Sequence, residues 1–198
     1  MSTKETICIV DDDADVRDSL EMLLRRSDFS VRSYGSAREF LDAGAPPEKT
    51  CVLADVRMPE MDGLALQREI GRRWPGLAVI IMTGHGDVPM AVKAMRAGAI
   101  DFLEKPFEKP ALIEAIRRAL AHSGSGTAAP AAKLDPKEVL TERELEVFRL
   151  LVEGDQNKVV AHKLNISVRT AEAHRSNLMS KLGARNLADL VRLSFSDS

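Results

Sequence analysis

Short apolar runs alternate with amphipathic stretches over the first two thirds of the chain. Five runs are rich in β-branched residues and have the length of buried strands. Between them, apolar residues recur at three- and four-residue intervals, which predicts helices. The predicted strands cover residues 5–10, 29–34, 50–55, 77–84 and 99–104, and the predicted helices cover 14–27, 36–44, 63–74, 87–98 and 109–122. This alternation predicts an α/β fold with a five-stranded, doubly wound parallel sheet of the flavodoxin-like kind.

The pattern changes after residue 122. Residues 123–136 contain no aromatic side chain and are rich in Ser, Gly, Ala and Pro, which predicts a linker. Residues 137–198 show helical periodicity only, and Thr141 and Glu144 have the spacing of a capping box. We therefore predict a first domain at 1–122, a linker at 123–136 and a small all-α, four-helix domain at 137–198.

Bulk composition narrows the possible functions. The formal net charge of −2 over 198 residues excludes a basic coat over the whole protein, although it permits a local basic face. The two cysteines, Cys8 and Cys51, lie in apolar runs and are interpreted as small buried hydrophobes rather than a disulfide framework. The N-terminus lacks a signal peptide, and no apolar run is long enough to span a membrane. We expect a cytoplasmic protein without membrane contact.

Polar and charged residues follow four of the predicted strands. Asp11, Asp12 and Asp13 come directly after the first strand, and Asp55 ends the third. The first and third strands are neighbours in a doubly wound sheet, so these acids are expected to meet at one edge. Crowded carboxylates repel each other, and a bound Mg²⁺ ion offsets that repulsion with few protein ligands.

The remaining strand ends complete a chemical set. Thr83 ends the fourth strand and supplies a hydroxyl, while Lys105 follows the fifth and supplies an ammonium. This set suits phosphoryl transfer onto Asp55, because a metal and a lysine neutralise phosphate oxygens. The alternative is that the acids only cap helices, which is the commoner role for any one of them. The conjunction at four strand ends favours the chemistry.

Four motifs carry a family resemblance: IVDDD, VLADVRMPEMDG, IMTGHGD and DFLEKPF. In this order and spacing they resemble the receiver domain of two-component response regulators over about residues 5–122, and the FixJ subgroup in particular. The resemblance implies that Asp55 is the phosphoacceptor and that the Lys105–Pro106 bond is cis. It further implies a Mg²⁺ site of Asp11, Asp12, Asp55 and the backbone carbonyl of Arg57, a switch hydroxyl at Thr83, a phosphate-binding Lys105 and a switch aromatic at Phe102.

The same resemblance implies partners. A sensor histidine kinase would supply the phosphoryl group to Asp55, and phosphorylation would produce a homodimer through a face that includes Val92, Met95 and Phe102. Phosphorylation adds charge and acceptor oxygens, which bias an element with two packings. The alternative for Phe102 is simple core packing.

Basic residues concentrate in the second domain. Residues 156–192 contain seven Lys or Arg and two acids, a local balance of +5 in a chain of −2. A compact helical unit with a basic face is typical of DNA-binding proteins, and a short helix, a tight turn and a longer helix fit a helix-turn-helix. We expect double-stranded DNA as the partner. Charge alone leaves open a solvated face on a protein-interaction module.

The motifs TEREL, NKVVA, ISVRT and HRSNLMSKL resemble the LuxR/NarL-type helix-turn-helix over nearly the whole second domain. The resemblance implies phosphate or groove contacts from Lys158, Arg169, Thr170, His174, Arg175 and Lys181, and base-edge contacts from Glu172, Ala173 and Ser176. Glu and Ala are poor substitutes for arginine in direct readout, so DNA shape is expected to matter. The alternative for His174 is a helix histidine satisfied within the domain.

Two positions depart from the family pattern. Gln156 stands where a Ser usually precedes NK, which predicts a weaker helix cap. Ala171 replaces the usual Val, which predicts looser packing of the second helix-turn-helix helix. In the last helix, Leu187, Leu190, Val191 and Leu193 are either a DNA-bound dimer contact or intradomain core.

Three functions compete as interpretations of these residues. The first is a DNA-binding transcriptional regulator that is activated by phosphorylation of Asp55 and is not an enzyme. The second is a phosphatase that forms an aspartyl-phosphate intermediate. Such enzymes, the haloacid-dehalogenase hydrolases, have a motif that resembles D-x-D-G-T at the nucleophile. Here Arg57 replaces the second acid of that motif, so its general acid/base is missing. The third is a phosphorylation-independent adaptor, against which the complete set of acids, Thr83 and Lys105 argues. The sequence favours the first.

Overall fold

The computed structural model describes residues 4–84, 88–122, 135–184 and 187–194. In the first part of the chain, strands and helices alternate as predicted. Elements β1 to α5 are Thr6–Val10 (β1), Ala14–Arg25 (α1), Ser30–Tyr34 (β2), Ala37–Asp42 (α2), Thr50–Asp55 (β3), Gly63–Arg73 (α3), Ala78–Thr83 (β4), Val88–Arg96 (α4), Asp101–Glu104 (β5) and Lys109–His122 (α5).

The five strands form one parallel sheet in the order β2-β1-β3-β4-β5. The predicted doubly wound, receiver-like topology is therefore confirmed. β1 lies between β2 and β3, with Val10 opposite both Tyr34 and Ala54. The carboxyl ends of β1 and β3 consequently lie side by side, as the sequence predicted.

Both faces of the sheet are covered, since β1, β3 and β4 consist of buried residues throughout. On one face Ile7, Leu53 and Ile80 pack in a cluster that includes Leu24 of α1 and Ile116 of α5. Cys51 belongs to this cluster too, and both cysteines are free and buried. Burial raises the pKa of the Cys8 thiol to about 11 and that of the Cys51 thiol further. Both therefore act as small apolar side chains.

The second part of the chain is helical, as predicted. Its helices are Pro136–Val139 (α6), Glu142–Glu153 (α7), Asn157–Leu164 (α8), Val168–Leu182 (α9) and Leu187–Ser194 (α10). The short α6 was not predicted; it begins at Pro136, inside the predicted linker, because the Asp135 side chain caps it. The rest of that linker, residues 123–134, lies outside the described residues.

Helix ends in this part follow the sequence signals. Thr141 and Glu144 form the predicted capping box, and Ser167 caps α9 through the Thr170 N–H. Gln156 makes no side-chain cap bond to α8, which confirms the predicted weakness there. The four apolar residues that were weighed as a dimer contact are all buried, in agreement with the intradomain alternative: Leu187, Leu190, Val191 and Leu193.

Contacts between Cα atoms divide the chain into two compact units, residues 1–85 with 96–128 and residues 86–95 with 129–198. The predicted boundaries at 122 and 137 remain predictions. No helix among the described residues combines the length and apolarity that a membrane span requires.

Candidate functional site

Two acids and one lysine meet at the carboxyl end of the sheet. The Nζ atom of Lys105 lies 2.7 Å from Asp11 Oδ2 and 2.5 Å from Asp55 Oδ1. Lys105 is 94 positions from Asp11 and 50 from Asp55, so the fold brings them together. Asp11 is 1% exposed and Asp55 8%, whereas the Lys105 side chain is 25% exposed. The lysine thus provides the most solvent-accessible part of this group, which we call the acid–lysine site.

Strand register explains why these residues converge. Val10 lies opposite Ala54, so the residues that follow them, Asp11 and Asp55, leave the sheet next to each other. Lys105 follows β5, and its backbone N–H donates to the Thr83 carbonyl at 2.7 Å. This bond holds the start of the β5–α5 connection at the end of β4. The peptide bond from Lys105 to Pro106 is cis, as predicted.

The electrostatics of the acid–lysine site reflect its burial. Burial raises the pKa of Asp55, although hydrogen bonds from Lys105 and from the Arg57 N–H oppose the rise. For Lys105, burial lowers the pKa, but the bonds to Asp11 and Asp55 outweigh it and the net direction is upward. The two directions are compatible, because the lysine serves two carboxylates while each carboxylate has only a share of one ammonium.

The three consecutive acids after β1 have different roles. Asp11 faces Lys105, whereas Asp12 is exposed. Asp13 caps α1 by accepting from the Asp15 N–H at 2.9 Å, so the helix-cap alternative holds for this residue. Among the described residues, no group of three or more His, Cys, Asp or Glu side chains converges as a metal centre. The structure therefore brings Asp11 and Asp55 together around Lys105, and Asp12 is exposed.

Asp11 and Asp55 together supply carboxylate oxygens at the acid–lysine site. Asp11 and Asp55 already direct one oxygen each at a cation, and the Arg57 N–H donates to the second Asp55 oxygen at 2.6 Å. Mg²⁺ is commonly held by one or two carboxylates and several waters. The donor set thus fits this ion chemically.

The two predicted switch residues are buried beside this edge. Thr83 is 0% exposed, and its hydroxyl donates to the Gly84 carbonyl at 3.3 Å. Phe102 is 8% exposed, in agreement with core packing in this state. Val92 and Met95, the other residues of the predicted dimer face, are 2% and 5% exposed. Each of the three side chains is therefore buried in this structure.

Two residues outside the predicted site set, Gly63 and Arg17, support the acid–lysine site. A Cβ on Gly63 would lie 2.3 Å from the carbonyl oxygen of Asp55, so only glycine fits there. The sequence indicates this requirement only by placing a glycine at the first position of a helix, where glycine has no intrinsic advantage. Arg17 of α1 donates to the Asp11 carbonyl at 2.7 Å and so braces the β1–α1 turn. A lone arginine on an amphipathic helix carries no such signal.

A second candidate site lies on α8 and α9. The turn between them contains Asn165 in the left-handed conformation, at a φ of 52°. Ala171, Leu178 and Leu182 give α9 a buried side, and the other side is polar. Seven of the nine predicted DNA contacts are exposed on these helices: Lys158, Arg169, Thr170, Glu172, Ala173, Ser176 and Lys181.

Three predicted DNA contacts are half-buried or paired within the domain. His174 and Arg175 are half-buried, and Arg175 donates to the Asn157 side chain at 3.4 Å. Lys181 is exposed but forms an ion pair with Glu144 at 2.7 Å. These three remain predictions as DNA contacts, but their surroundings differ from those of the other six.

Comparison with known families matches each half of the chain to a different family. Residues 7–117 match the response regulator receiver domain, and residues 138–194 match the bacterial regulatory proteins of the luxR family. The chain therefore belongs to the response regulators, with a receiver domain followed by a LuxR-type DNA-binding domain.

Individual relatives agree over nearly the whole chain. The transcriptional regulatory protein FixJ of Azorhizobium caulinodans is 47% identical over 189 residues, which is 94% of this chain and 90% of that protein. FixJ of Rhizobium meliloti is 46% identical over 199 residues, covering 97% and 96%. The crystal structure of full-length FixJ from B. japonicum is 41% identical with a TM-score of 0.58, covering 98% and 97%. The chain is thus a FixJ-like response regulator that controls transcription.

Proposed function

We propose that a sensor histidine kinase transfers a phosphoryl group to Asp55 and that this modification controls DNA binding by α9. The single observation that supports it best is the convergence of Asp11, Asp55 and Lys105 at one sheet edge. A carboxylate oxygen of Asp55 attacks phosphorus, and the phosphohistidine nitrogen leaves with its electron pair. Lys105 neutralises a phosphate oxygen once the new acyl phosphate forms.

We further propose that Mg²⁺ assists this transfer, held by Asp11, Asp12, Asp55 and the Arg57 carbonyl. When bound, it would neutralise charge on the phosphoryl oxygens. Asp11 and Asp55 support the assignment because both are buried acids with oxygens directed at a cation. Lys105 then exchanges an ion pair with a carboxylate for one with the phosphate.

The conformational response is proposed to run through Thr83 and Phe102. The Thr83 hydroxyl, which now donates to the neighbouring carbonyl, would turn to the phosphate, and Phe102 would repack in the space it leaves. Since Val92, Met95 and Phe102 are buried here, a homodimer through them requires this rearrangement. The two packings form the switch.

The output is proposed to be sequence-dependent binding of double-stranded DNA in the cytoplasm. The exposed polar side of α9 carries Arg169, Thr170, Glu172, Ala173 and Ser176, while Lys158 of α8 is available for a phosphate. Two copies of α9, brought together by the dimer, would contact a two-fold symmetric site.

The experiment combines mass spectrometry with footprinting. Full-length protein is treated with a small phosphodonor and Mg²⁺, the modified residue is located, and genomic fragments are footprinted with treated and untreated samples. Added mass at Asp55 and stronger protection after treatment are expected. Equal footprints for treated wild type, untreated wild type and Asp55→Asn would contradict the proposal.

A further inference from the structure

The first turn of α7 contacts the carboxyl ends of both helices of the helix-turn-helix. Arg143 Nη2 donates to the carbonyl of Leu164, the last residue of α8, at 2.6 Å. Glu144 Oε2 accepts from Lys181 Nζ, in the last turn of α9, at 2.7 Å. We call the group of Arg143, Glu144 and Lys181 the α7 clamp. Two adjacent residues of α7 thus bind the carboxyl ends of two other helices, α8 and α9.

The carboxylate at the centre of the clamp is almost inaccessible. Glu144 is 5% exposed, and its Oε2 also accepts from the N–H and the hydroxyl of Thr141, each at 2.9 Å. The hydrogen bond from Lys181 and those from Thr141 lower its pKa to about 2. If Lys181 were removed, a buried charge would lose its only cationic partner among the described residues, which is strongly destabilising.

This geometry changes the expected role of Lys181. Its ammonium is directed at Glu144, although 40% of the side chain is exposed. Because the Glu144 carboxylate already offsets the charge of this ammonium, a DNA phosphate gains less from Lys181 than from a lysine without an acidic partner. Lys158 differs, because it is exposed and forms no ion pair in the part of the chain that the structure describes.

We propose that Arg143, Glu144 and Lys181 are positioning residues for DNA binding, and that Lys181 does not contact DNA. They fix the orientation of α8 and α9 relative to α7, and so aim the exposed side of α9. This inference rests on the proposed function, since it presupposes that α9 binds DNA. It removes Lys181 from the predicted phosphate contacts.

The salt dependence of DNA affinity separates the two roles. The plot of log K against log salt concentration has a negative slope, and each side chain that neutralises one phosphate adds about 0.9 to the magnitude of that slope. Below, the slope means this magnitude. We would treat full-length protein with a small phosphodonor and Mg²⁺ and titrate it onto a short random-sequence duplex over a KCl series. Lys158→Met and Arg169→Met are the controls, and each is expected to lower the slope by about 0.9. Lys181→Met is expected to keep the wild-type slope, with weaker binding at every salt concentration and a lower melting temperature.

A double variant tests the clamp independently. Glu144→Gln with Lys181→Met removes the unpaired carboxylate, so part of the lost affinity and melting temperature should return. If Lys181→Met alone is unfolded by circular dichroism, the slope is measured on the double variant. A slope reduced as in the controls, or no recovery in the double variant, would overturn the clamp. A wild type that binds no duplex at any salt concentration would instead overturn the proposed DNA-binding function.

Discussion

The acid–lysine site and the DNA-binding side of α9 are built in opposite ways. The first joins residues up to 94 positions apart in a nearly buried group at a sheet edge. The second presents exposed side chains from one continuous helix of 15 residues and its neighbour α8. Charges in a buried group depend strongly on one another, whereas exposed phosphate contacts contribute in similar steps. We therefore expect single substitutions to abolish function at the first site and to reduce it gradually at the second.

The largest expected contrast comes from the phosphoacceptor. Asp55→Asn keeps the shape of the side chain but removes the anionic nucleophile, so no phosphoryl mass should be added by a phosphodonor with Mg²⁺. Asp62→Asn is the matched control, because asparagine caps α3 as aspartate does, and it should accept phosphate normally. Intact-protein mass spectrometry measures both. Normal phosphorylation of the Asp55 variant would remove the contrast between the sites.

The next effect concerns the backbone beneath the phosphoacceptor. In Gly63→Ala the new Cβ would meet the Asp55 carbonyl oxygen at 2.3 Å, so the β3–α3 connection must shift. We expect stability to fall by about 1–3 kcal/mol and phosphorylation to slow by up to about 100-fold. Denaturant unfolding and the rate of mass addition measure the two effects.

Gly71 provides the control for that substitution. It lies in the same helix, and a Cβ there would meet nothing within 4 Å. Gly71→Ala should raise stability by roughly 0.5–1 kcal/mol and leave phosphorylation unchanged. Equal stability and equal phosphorylation rates of the two variants would show that the close approach at Gly63 does not affect function.

Lowering the pH should change the contributions of Glu144 and Asp55 to stability in opposite directions. The pKa of Glu144 is lowered from 4.5 to about 2, so its contribution to stability is present above the unfolded pKa and lost as pH falls through the folded one. The pKa of Asp55 is raised, so its contribution is present below the unfolded pKa and is lost as pH rises.

The measurement compares melting of wild type and Glu144→Gln. The stability advantage of wild type should be largest above about pH 4.5 and should shrink toward pH 2. An advantage that does not change across this interval would mean that the Glu144 carboxylate contributes nothing through its charge.

The smallest expected effect concerns the packing of α9. Ala171 is 1% exposed on the buried side of α9. Ala171→Val should increase the buried apolar area and raise stability by up to about 1 kcal/mol. Thermal melting of the full-length chain measures it. No gain in the variant would show that the site is already filled by its neighbours.

How far the sequence predicts this molecule depends on the range of the interaction. Strands, helices and caps such as that of Ser167 follow from local patterns, and the meeting of Asp11 with Asp55 follows from topology. The ion pair of Glu144 and Lys181 could not be foreseen, because it joins residues 37 positions apart on different helices. For Glu144, the capping-box pattern predicted the contact with Thr141 but not the ion pair with Lys181.

The different environments of the three acids after β1 have a similar cause. Three consecutive aspartates are equivalent in composition, yet the turn after β1 directs Asp11 inward, leaves Asp12 exposed and uses Asp13 as a cap. Strand-end proximity determines which loops meet, but backbone torsion within each loop determines which side chain points where.

The central claim is that a phosphoryl group on Asp55 changes the DNA affinity of the same chain. Its most direct test is a titration of one footprinted duplex with full-length protein before and after phosphodonor treatment, with the modified fraction measured by mass spectrometry in each sample. Affinity should rise with the fraction modified at Asp55, and Asp55→Asn should not respond. An affinity that stays constant while Asp55 becomes fully phosphorylated would contradict this claim.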